Sequence, residues 1–234
     1  MGTLEGRVAI VTGGGAGLGL AIAQELAAAG CAIAIAERDA AAGEAAAEAL
    51  RAAGAAARSY AVDVSVAAEV EAAFAAVPRD LGRLDIVVNN AGVSHVGPTI
   101  AETTDEAWHE SVAVMQTGVF YCLRAAARHL LPQGSGSVVN ISSIRGFSPN
   151  PGRIAYCATK AAVLMMTRVA AGEWAGSGVR VNAIAPGIQR TPMWGADVAR
   201  GAIDEPFYLR TVPMGRIGDP RDDGRLAVYL THSF

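Results

Sequence analysis

The 234-residue sequence has few aromatic residues, few charged residues and little net charge. Aromatic residues make up 6% of it and charged residues 18%, whereas hydrophobic residues make up 52%. This is the composition of a folded chain, not of a disordered one. The net charge is −3 and the isoelectric point is near 5.8, whereas nucleic acids and anionic membranes bind basic surfaces. We therefore expect no nucleic acid and no membrane among the partners.

Cysteine is scarce as well. Cys31, Cys122 and Cys157 lie far apart and match no metal-ligand spacing. An odd number of cysteines without a signal peptide is typical of reduced thiols in the cytoplasm. The N-terminal sequence enters a strand-like run too early to leave room for a targeting segment, and no apolar run approaches the roughly 18 residues of a membrane span. We expect a cytoplasmic protein without a metal site.

Short apolar runs alternate with alanine-rich segments along the whole chain. The alanine-rich segments have the composition of helices, and the alternation predicts a doubly wound parallel sheet with helices on both faces. An eight-unit α/β barrel needs more units than this length holds. We expect one α/β domain over residues 1–234, with ligands bound beyond the carboxyl ends of the strands. The apolar runs are near-continuous, as in strands buried on both faces: RVAIVTG, CAIAIAE, SYAVDV, DIVVNNAG, SVVNIS and VRVNAIAPG.

A glycine-rich stretch, TGGGAGLG, follows the first predicted strand and leads into a helix. Glycine lets the backbone turn sharply and approach a pyrophosphate, whose charge is favoured by a helix N-terminus. Such a turn alone is a weak signal, but its position between a first strand and a helix strengthens it. The stretch predicts a dinucleotide site at Gly13, Gly17, Leu18 and Gly19.

The end of the second predicted strand bears on the choice of dinucleotide. Glu37 lies 18 residues beyond Gly19, where a carboxylate can accept hydrogen bonds from the adenosine ribose and repel the extra phosphate of NADP. The neighbouring Arg38 could instead bind that phosphate. We favour NAD as the cofactor because we take the acid as the stronger determinant, and NADP stays open.

Residues after the third and fourth predicted strands complete this cofactor site. Asp63 and Val64 are placed to contact the adenine. In the NNAG stretch, Asn90, Ala91 and Gly92 offer an amide side chain and a close-approach glycine near the adenosine. Each of these stretches, taken alone, is also compatible with an ordinary turn.

The stretch AYCATKAAVLM places a tyrosine and a lysine one helical turn apart. Residues four apart on a helix lie on the same face, so Tyr156 and Lys160 are expected side by side. A buried tyrosine beside a solvated lysine would give the same spacing, so the pair alone does not decide its role.

Together these motifs resemble those of the short-chain dehydrogenase/reductase family, in its shorter, single-domain branch. TGGGAGLG, NNAG, YCATK and NAIAPGIQRTPM occur in the family's order and spacing from Thr12 to about Leu230. The resemblance implies a Rossmann-like fold in which Ser143, 13 positions before the tyrosine, orients the substrate oxygen. Tyr156 would be the general acid or base, although free tyrosine titrates only near pH ~10. Lys160 would hold the nicotinamide ribose and, together with the oxidised nicotinamide ring, favour the phenolate.

The resemblance also assigns the segment after the sixth predicted strand. Pro186 and Gly187 would shape the loop beside the nicotinamide, Ile188 would pack on the ring, and Thr191 would bond its carboxamide. Family members then build a mobile substrate lid, which corresponds here to residues 193–216, and its aromatic residues indicate an apolar pocket.

The sequence departs from the family pattern in two places. The family usually has an asparagine that holds a proton-relay water, and here that position is Met115, whose thioether donates no hydrogen bond. We expect the relay to be weakened or replaced by another water route. Family members also usually continue through a seventh strand, so we expect a sheet that lacks this last strand and has an open edge.

The sequence therefore predicts an NAD(H)-dependent oxidoreductase that interconverts a small-molecule secondary alcohol and a ketone. An NADP(H)-dependent 3-oxoacyl-thioester reductase stays open because of Arg38. A weakly catalytic dinucleotide-binding protein stays open because of Met115 and the missing last strand. The resemblance further implies a homodimer or homotetramer that pairs through the long helix before the fifth strand and the helix that carries Tyr156.

Overall fold

The structure, a computed structural model, describes residues 4–95 and 99–232. Within these residues six parallel strands form one sheet in the order β3-β2-β1-β4-β5-β6. The order reverses between β1 and β4, and such a switch point opens a crevice at the carboxyl ends of the strands. The predicted doubly wound sheet is therefore confirmed. The strands are β1 (Val8–Thr12), β2 (Ala32–Glu37), β3 (Ala57–Ala61), β4 (Ile86–Asn89), β5 (Gly136–Ile141) and β6 (Val179–Ile184).

Helices cover both faces of the sheet, which explains why the strands are apolar on both sides. In β1, Ile10 packs into the core on one face with α3, α5 and α6, while Val11 packs into the core on the other face with α1, α2 and α9. The helices are α1 (Gly17–Ala28), α2 (Ala40–Ala52), α3 (Ala67–Leu81), α4 (Asp105–Val112), α5 (Gly118–Gln133), α6 (Ile154–Trp174), α7 (Pro192–Ala199), α8 (Glu205–Thr211) and α9 (Pro220–Thr231).

The third strand ends earlier than its apolar pattern predicts. The run SYAVDV predicts a strand up to Val64, but β3 ends at Ala61. The Asp63 carboxylate accepts hydrogen bonds from the Ser65 backbone N–H at 2.9 Å and from its hydroxyl at 2.6 Å. Aspartate commonly forms local turns of this kind, and the turn directs Asp63 and Val64 away from the sheet toward the crevice.

The long helix expected before the fifth strand is interrupted by a π-helical turn at Ala113–Thr117, between α4 and α5. π-Helical turns inside α-helices are often found at functional sites, because the extra residue re-aims side chains. Met115 lies in this turn and is almost fully buried. The turn thus places the methionine, rather than an amide, against the crevice.

The length of helix α6 differs from the expectation that no apolar run approaches the length of a membrane span. Together with the short turn that follows it, α6 covers Ile154–Ser177 and is long and apolar enough to cross a bilayer by length and composition alone, with a mean hydropathy of 1.3. The expectation that no apolar run reaches such a length was wrong. The helix packs against β5 and β6 and carries Tyr156 and Lys160 to the crevice, which is the position of a core helix.

The segment predicted to be a lid folds mainly as α7 and α8. Thr191 caps α7 by accepting a hydrogen bond from the Trp194 N–H at 3.2 Å, and Pro192 follows at the first helical position, where proline is favoured. Asp204 caps α8 in the same way, through the Phe207 N–H at 3.1 Å. Both helices border the crevice. That the segment 193–216 closes over a bound ligand stays a prediction.

Candidate active site

A cleft of about 400 Å³ lies at the carboxyl ends of the strands, over the switch point. It brings together residues from the ends of β1, β2, β3, β4, β5 and β6, as parallel strands require. Every site residue predicted from the sequence lines this cleft except Gly19. The lining residues among those predictions are Gly13, Gly17, Leu18, Glu37, Arg38, Asp63, Val64, Asn90, Ala91, Gly92, Ser143, Tyr156, Lys160, Pro186, Gly187, Ile188 and Thr191.

The glycine-rich loop has the shape of a pyrophosphate cradle. Gly13 and Gly17 have φ angles of +62° and +56°, which side-chain-bearing residues rarely adopt. Helix α1 begins at Gly17, and Ala16 before it offers no side-chain cap, so the first amide groups of the helix have no side-chain acceptor and suit an anion. Gly19 lies behind the loop, where a Cβ atom would be 2.2 Å from the Gly13 carbonyl oxygen. Gly19 therefore allows the helix to pack against the loop without lining the cleft.

Hydrogen bonds between the ends of β1 and β4 fix the floor of this cradle. The Thr12 hydroxyl donates to the Val88 carbonyl at 3.3 Å and accepts from the Asn90 and Ala91 N–H groups at 3.0 and 3.1 Å. The Asn90 amide donates in return to the Thr12 and Gly13 carbonyls at 3.0 and 3.1 Å. Thr12 is a positioning residue that sequence reasoning missed, since only the pairing of two distant strands shows it.

The adenosine end of the cleft carries both signs of charge. The Glu37 carboxylate accepts a hydrogen bond from the Gly15 N–H at 3.2 Å, which holds it at the loop. Arg38 is exposed and also lines the cleft. The hydrogen bond from Ser65 lowers the pKa of Asp63 below its ordinary value, so this carboxylate stays ionised near neutral pH. These residues fit the ribose and adenine of a dinucleotide.

Ser143, Tyr156 and Lys160 meet at the other end of the cleft. Burial raises the pKa of Tyr156, and this outweighs the lowering effects of a hydrogen bond with Ser143 and of nearby Arg153 and Arg145. The expectation that Lys160 favours the phenolate, together with the nicotinamide ring, stays a prediction for the complex.

Lys160 is held in place by the protein itself. Its Nζ atom lies 5.7 Å from the Tyr156 ring centroid and donates to the Ile141 carbonyl at 2.8 Å. Ser142 donates to the Lys160 backbone carbonyl at 2.8 Å, which fixes the helix against the end of β5. Burial lowers the pKa of Lys160 from 10.5 to about 8. A proton can therefore leave or return to this amine near neutral pH.

Sequence reasoning missed several polar residues at the Tyr156 end of the cleft. They lie on loops and short turns, at the residue before α6 and in the second turn of α7, and no motif marks them because only tertiary packing brings them together. They are Arg145, Asn150, Arg153, Gln189 and Asp197.

A Rossmann-like sheet with a glycine-rich loop at its switch point is the architecture of proteins that bind a dinucleotide, and Ser143, Tyr156 and Lys160 line the same cleft as that loop. Comparison with known proteins identifies the family. A family model of short chain dehydrogenases matches residues 7–200. The 2,5-dichloro-2,5-cyclohexadiene-1,4-diol dehydrogenase LinX of Sphingobium indicum is 39% identical over 227 residues, which cover 97% of this chain and 89% of that protein.

Solved structures agree with this match. The crystal structure of an NAD+-bound xylitol dehydrogenase superimposes with a TM-score of 0.93 at 31% identity and covers 98% of this chain and 93% of its own. A 3-ketoacyl-(acyl-carrier-protein) reductase from Brucella melitensis, crystallised in complex with NADH, gives a TM-score of 0.90 at 32% identity. The match covers 98% of this chain and 92% of the reductase chain. The chain belongs to the short-chain dehydrogenase family, and it is an oxidoreductase of that family.

Proposed function

We propose that this protein transfers a hydride between NAD(H) and a secondary alcohol or ketone, with Tyr156 as the general acid or base. The observation that carries the proposal is the convergence of Ser143, Tyr156 and Lys160 on one cleft with the glycine-rich loop. Relatives named as a diol dehydrogenase and a xylitol dehydrogenase support alcohols as the substrate class.

NAD(H), when bound, supplies the hydride acceptor or donor. Ser143 hydrogen-bonds the substrate oxygen and holds it toward the phenol. Tyr156 takes the hydroxyl proton during oxidation and returns it during reduction, which needs a phenol within hydrogen-bonding reach of that oxygen. Lys160, with its pKa of about 8, is placed to accept or supply this proton, and it would hold the nicotinamide ribose when NAD(H) is bound. The Ile141 carbonyl keeps the amine in position.

NAD is proposed over NADP because Glu37 stands at the loop, bonded to the Gly15 N–H. A carboxylate there repels a 2′-phosphate. The second candidate, an NADP(H)-dependent 3-oxoacyl-thioester reductase, is favoured by Arg38, which lines the same end of the cleft. Fluorescence titrations with NADH and NADPH separate the two, since preferential binding of NADPH would support the reductase.

The test of the proposed chemistry uses NAD+, a panel of secondary alcohols and two variants. We expect Tyr156→Phe to lower kcat by about a hundredfold or more and to leave NADH binding within a few fold, because the phenol acts on the substrate oxygen. Ser143→Ala should lower kcat without loss of NADH binding. If the wild-type protein binds NADH but oxidises no alcohol and reduces no ketone, a weakly catalytic dinucleotide-binding protein becomes the better description.

We also propose a cytoplasmic homodimer or homotetramer. An exposed stripe on α6 supports the assembly, since Met165 and Val169 are 55% and 52% exposed and Phe120 on neighbouring α5 is 48% exposed. Apolar side chains on adjoining helices suit close contact with a second copy. Light scattering on the wild type and on Met165→Asp tests this, and a monomeric wild type would contradict it.

A further inference from the structure

The Tyr156 end of the cleft has an excess of positive charge. Its charged lining residues are three cations, Arg145, Arg153 and Lys160, and one carboxylate, Asp197. Glu37, Arg38 and Asp63, the other charged lining residues, belong to the adenosine end. A neutral alcohol would leave this excess uncompensated in a partly desolvated site, whereas an anion would balance it.

Asp197 does not satisfy Arg153. The Asp197 Oδ1 atom accepts two hydrogen bonds from Arg200, at 2.7 and 3.1 Å, and Oδ2 accepts one from the Ser94 hydroxyl at 3.0 Å. The Arg153 Nη2 atom lies 3.8 Å from Oδ2, which is an ion pair but not a hydrogen bond. Within residues 4–95 and 99–232 the Arg153 guanidinium makes no hydrogen bond, although its side chain is only 13% exposed.

Arg153 lies close to Tyr156, the proposed general acid or base. Its guanidinium carbon lies 5.9 Å from the Tyr156 ring centroid, and both side chains line the same cleft. A guanidinium presents a planar fork of donors that matches a carboxylate or sulfonate. Arg153 is largely but not fully withdrawn from water, and a guanidinium in such a place that makes no hydrogen bond is stabilised when an anion pairs with it.

We propose that Arg153 binds an anionic group, a carboxylate or a sulfonate, on the alcohol or ketone substrate. Arg153 is then a specificity residue, and the substrate class narrows to anionic secondary alcohols such as hydroxy acids. This inference rests on the proposed function, because the anion is placed relative to an oxygen that Tyr156 protonates or deprotonates. The competing account is that Arg153 only fastens α6 to α7 through Asp197.

Matched probes and a matched variant separate these accounts. The probes are 3-hydroxybutanoate, 4-hydroxypentanoate and 5-hydroxyhexanoate, each compared with its uncharged carboxamide, and 4-hydroxypentane-1-sulfonate as the sulfonate arm. The variants are Arg153→Met and Arg200→Met. Arg200 bonds the same Asp197 but does not line the cleft and is 52% exposed, so its loss disturbs the ion-pair cluster alone. Turnover with NAD+ and calorimetric binding to the NADH complex are both measured.

We expect the wild type to prefer at least one anionic probe over its carboxamide by about tenfold or more in kcat/KM and in Kd, as charge-assisted hydrogen bonds provide. In Arg153→Met this acid-to-amide ratio should fall to about one, because kcat/KM and affinity drop for the anionic probes and not for the carboxamides. Arg200→Met should keep the wild-type ratio. The inference would be overturned if the wild type showed equal kcat/KM and Kd for acids and carboxamides. It would also be overturned if Arg153→Met lowered kcat/KM and affinity equally for both. The sulfonate arm shows which oxyanion is bound.

The two proposals can fail separately. Turnover of the amides without preference for the acids would leave the proposed function standing and overturn the inference. Acid-selective binding that disappears in Arg153→Met, without turnover of any alcohol, would support the inference and refute the proposed function.

Discussion

Lys160 can be tested directly because it is the only lysine in the 234-residue sequence. Its side chain is buried, and burial lowers its pKa from 10.5 to about 8. At about 1.4 kcal/mol per pKa unit, the charged ammonium costs roughly 3 kcal/mol more in the folded protein than in the unfolded chain. The hydrogen bond to the Ile141 carbonyl favours the charged form but is the smaller effect, since a buried ammonium loses most of its hydration.

Because folding lowers the pKa of Lys160, the free energy of unfolding must depend on pH. Between about pH 8 and pH 10.5 the unfolded chain binds more protons at Lys160 than the folded protein does, so the free energy of unfolding rises with pH. The free-energy cost of burying the charged ammonium is fully present below the pKa of the folded protein and is gone above the pKa of the unfolded chain. Relative to Lys160→Met, in which no amine titrates, the wild type should gain about 3 kcal/mol across this window.

The assay is NMR of protein grown with ¹³C-labelled lysine, which gives a single Cε resonance without assignment. Titrated in the absence of cofactor, this resonance should shift with a midpoint near 8. The Lys160→Met variant, in which the signal must vanish, is the control. A midpoint at or above about 10, the ordinary range of lysine, would refute the reasoning that burial dominates at this site.

Three further substitutions test other parts of the cleft. Gly19→Ala places a Cβ atom 2.2 Å from the Gly13 carbonyl oxygen, so it should lower stability by about 1–3 kcal/mol in urea unfolding and weaken NADH binding. Gly176→Ala, where a Cβ atom meets nothing within 4 Å, is the control and should change neither. Glu37→Gln should raise NADPH affinity relative to NADH by about tenfold in fluorescence titrations, and an unchanged ratio would remove Glu37 as the determinant. Met115→Asn should raise kcat by a few fold, and identical turnover at every pH would show that no relay is missing.

Sequence patterns predicted the parts of the fold and cleft that depend on local spacing. The near-continuous apolar runs marked strands covered on both faces, and the four-residue spacing of Tyr156 and Lys160 placed them on one side of α6. The Arg153–Asp197 pair had no such signal, because 44 positions separate the two residues and only the tertiary fold brings Asp197 of α7 to the residue before α6. The end of β3 was also missed, since the turn at Asp63 depends on a side-chain hydrogen bond rather than on hydrophobicity.

The charge of Arg153 links substrate specificity to the acid–base chemistry of Tyr156. Burial raises the pKa of Tyr156, and Arg153 and Arg145 are among the groups that lower it. An anion paired with Arg153 would cancel much of that lowering effect and raise the pKa further, which favours the phenol, the proton donor needed to reduce a ketone. We therefore expect the apparent pKa in the kcat profile for alcohol oxidation to be higher with a hydroxy acid than with its carboxamide. In Arg153→Met the two profiles should coincide, and a lower apparent pKa with the acid in the wild type would contradict this coupling.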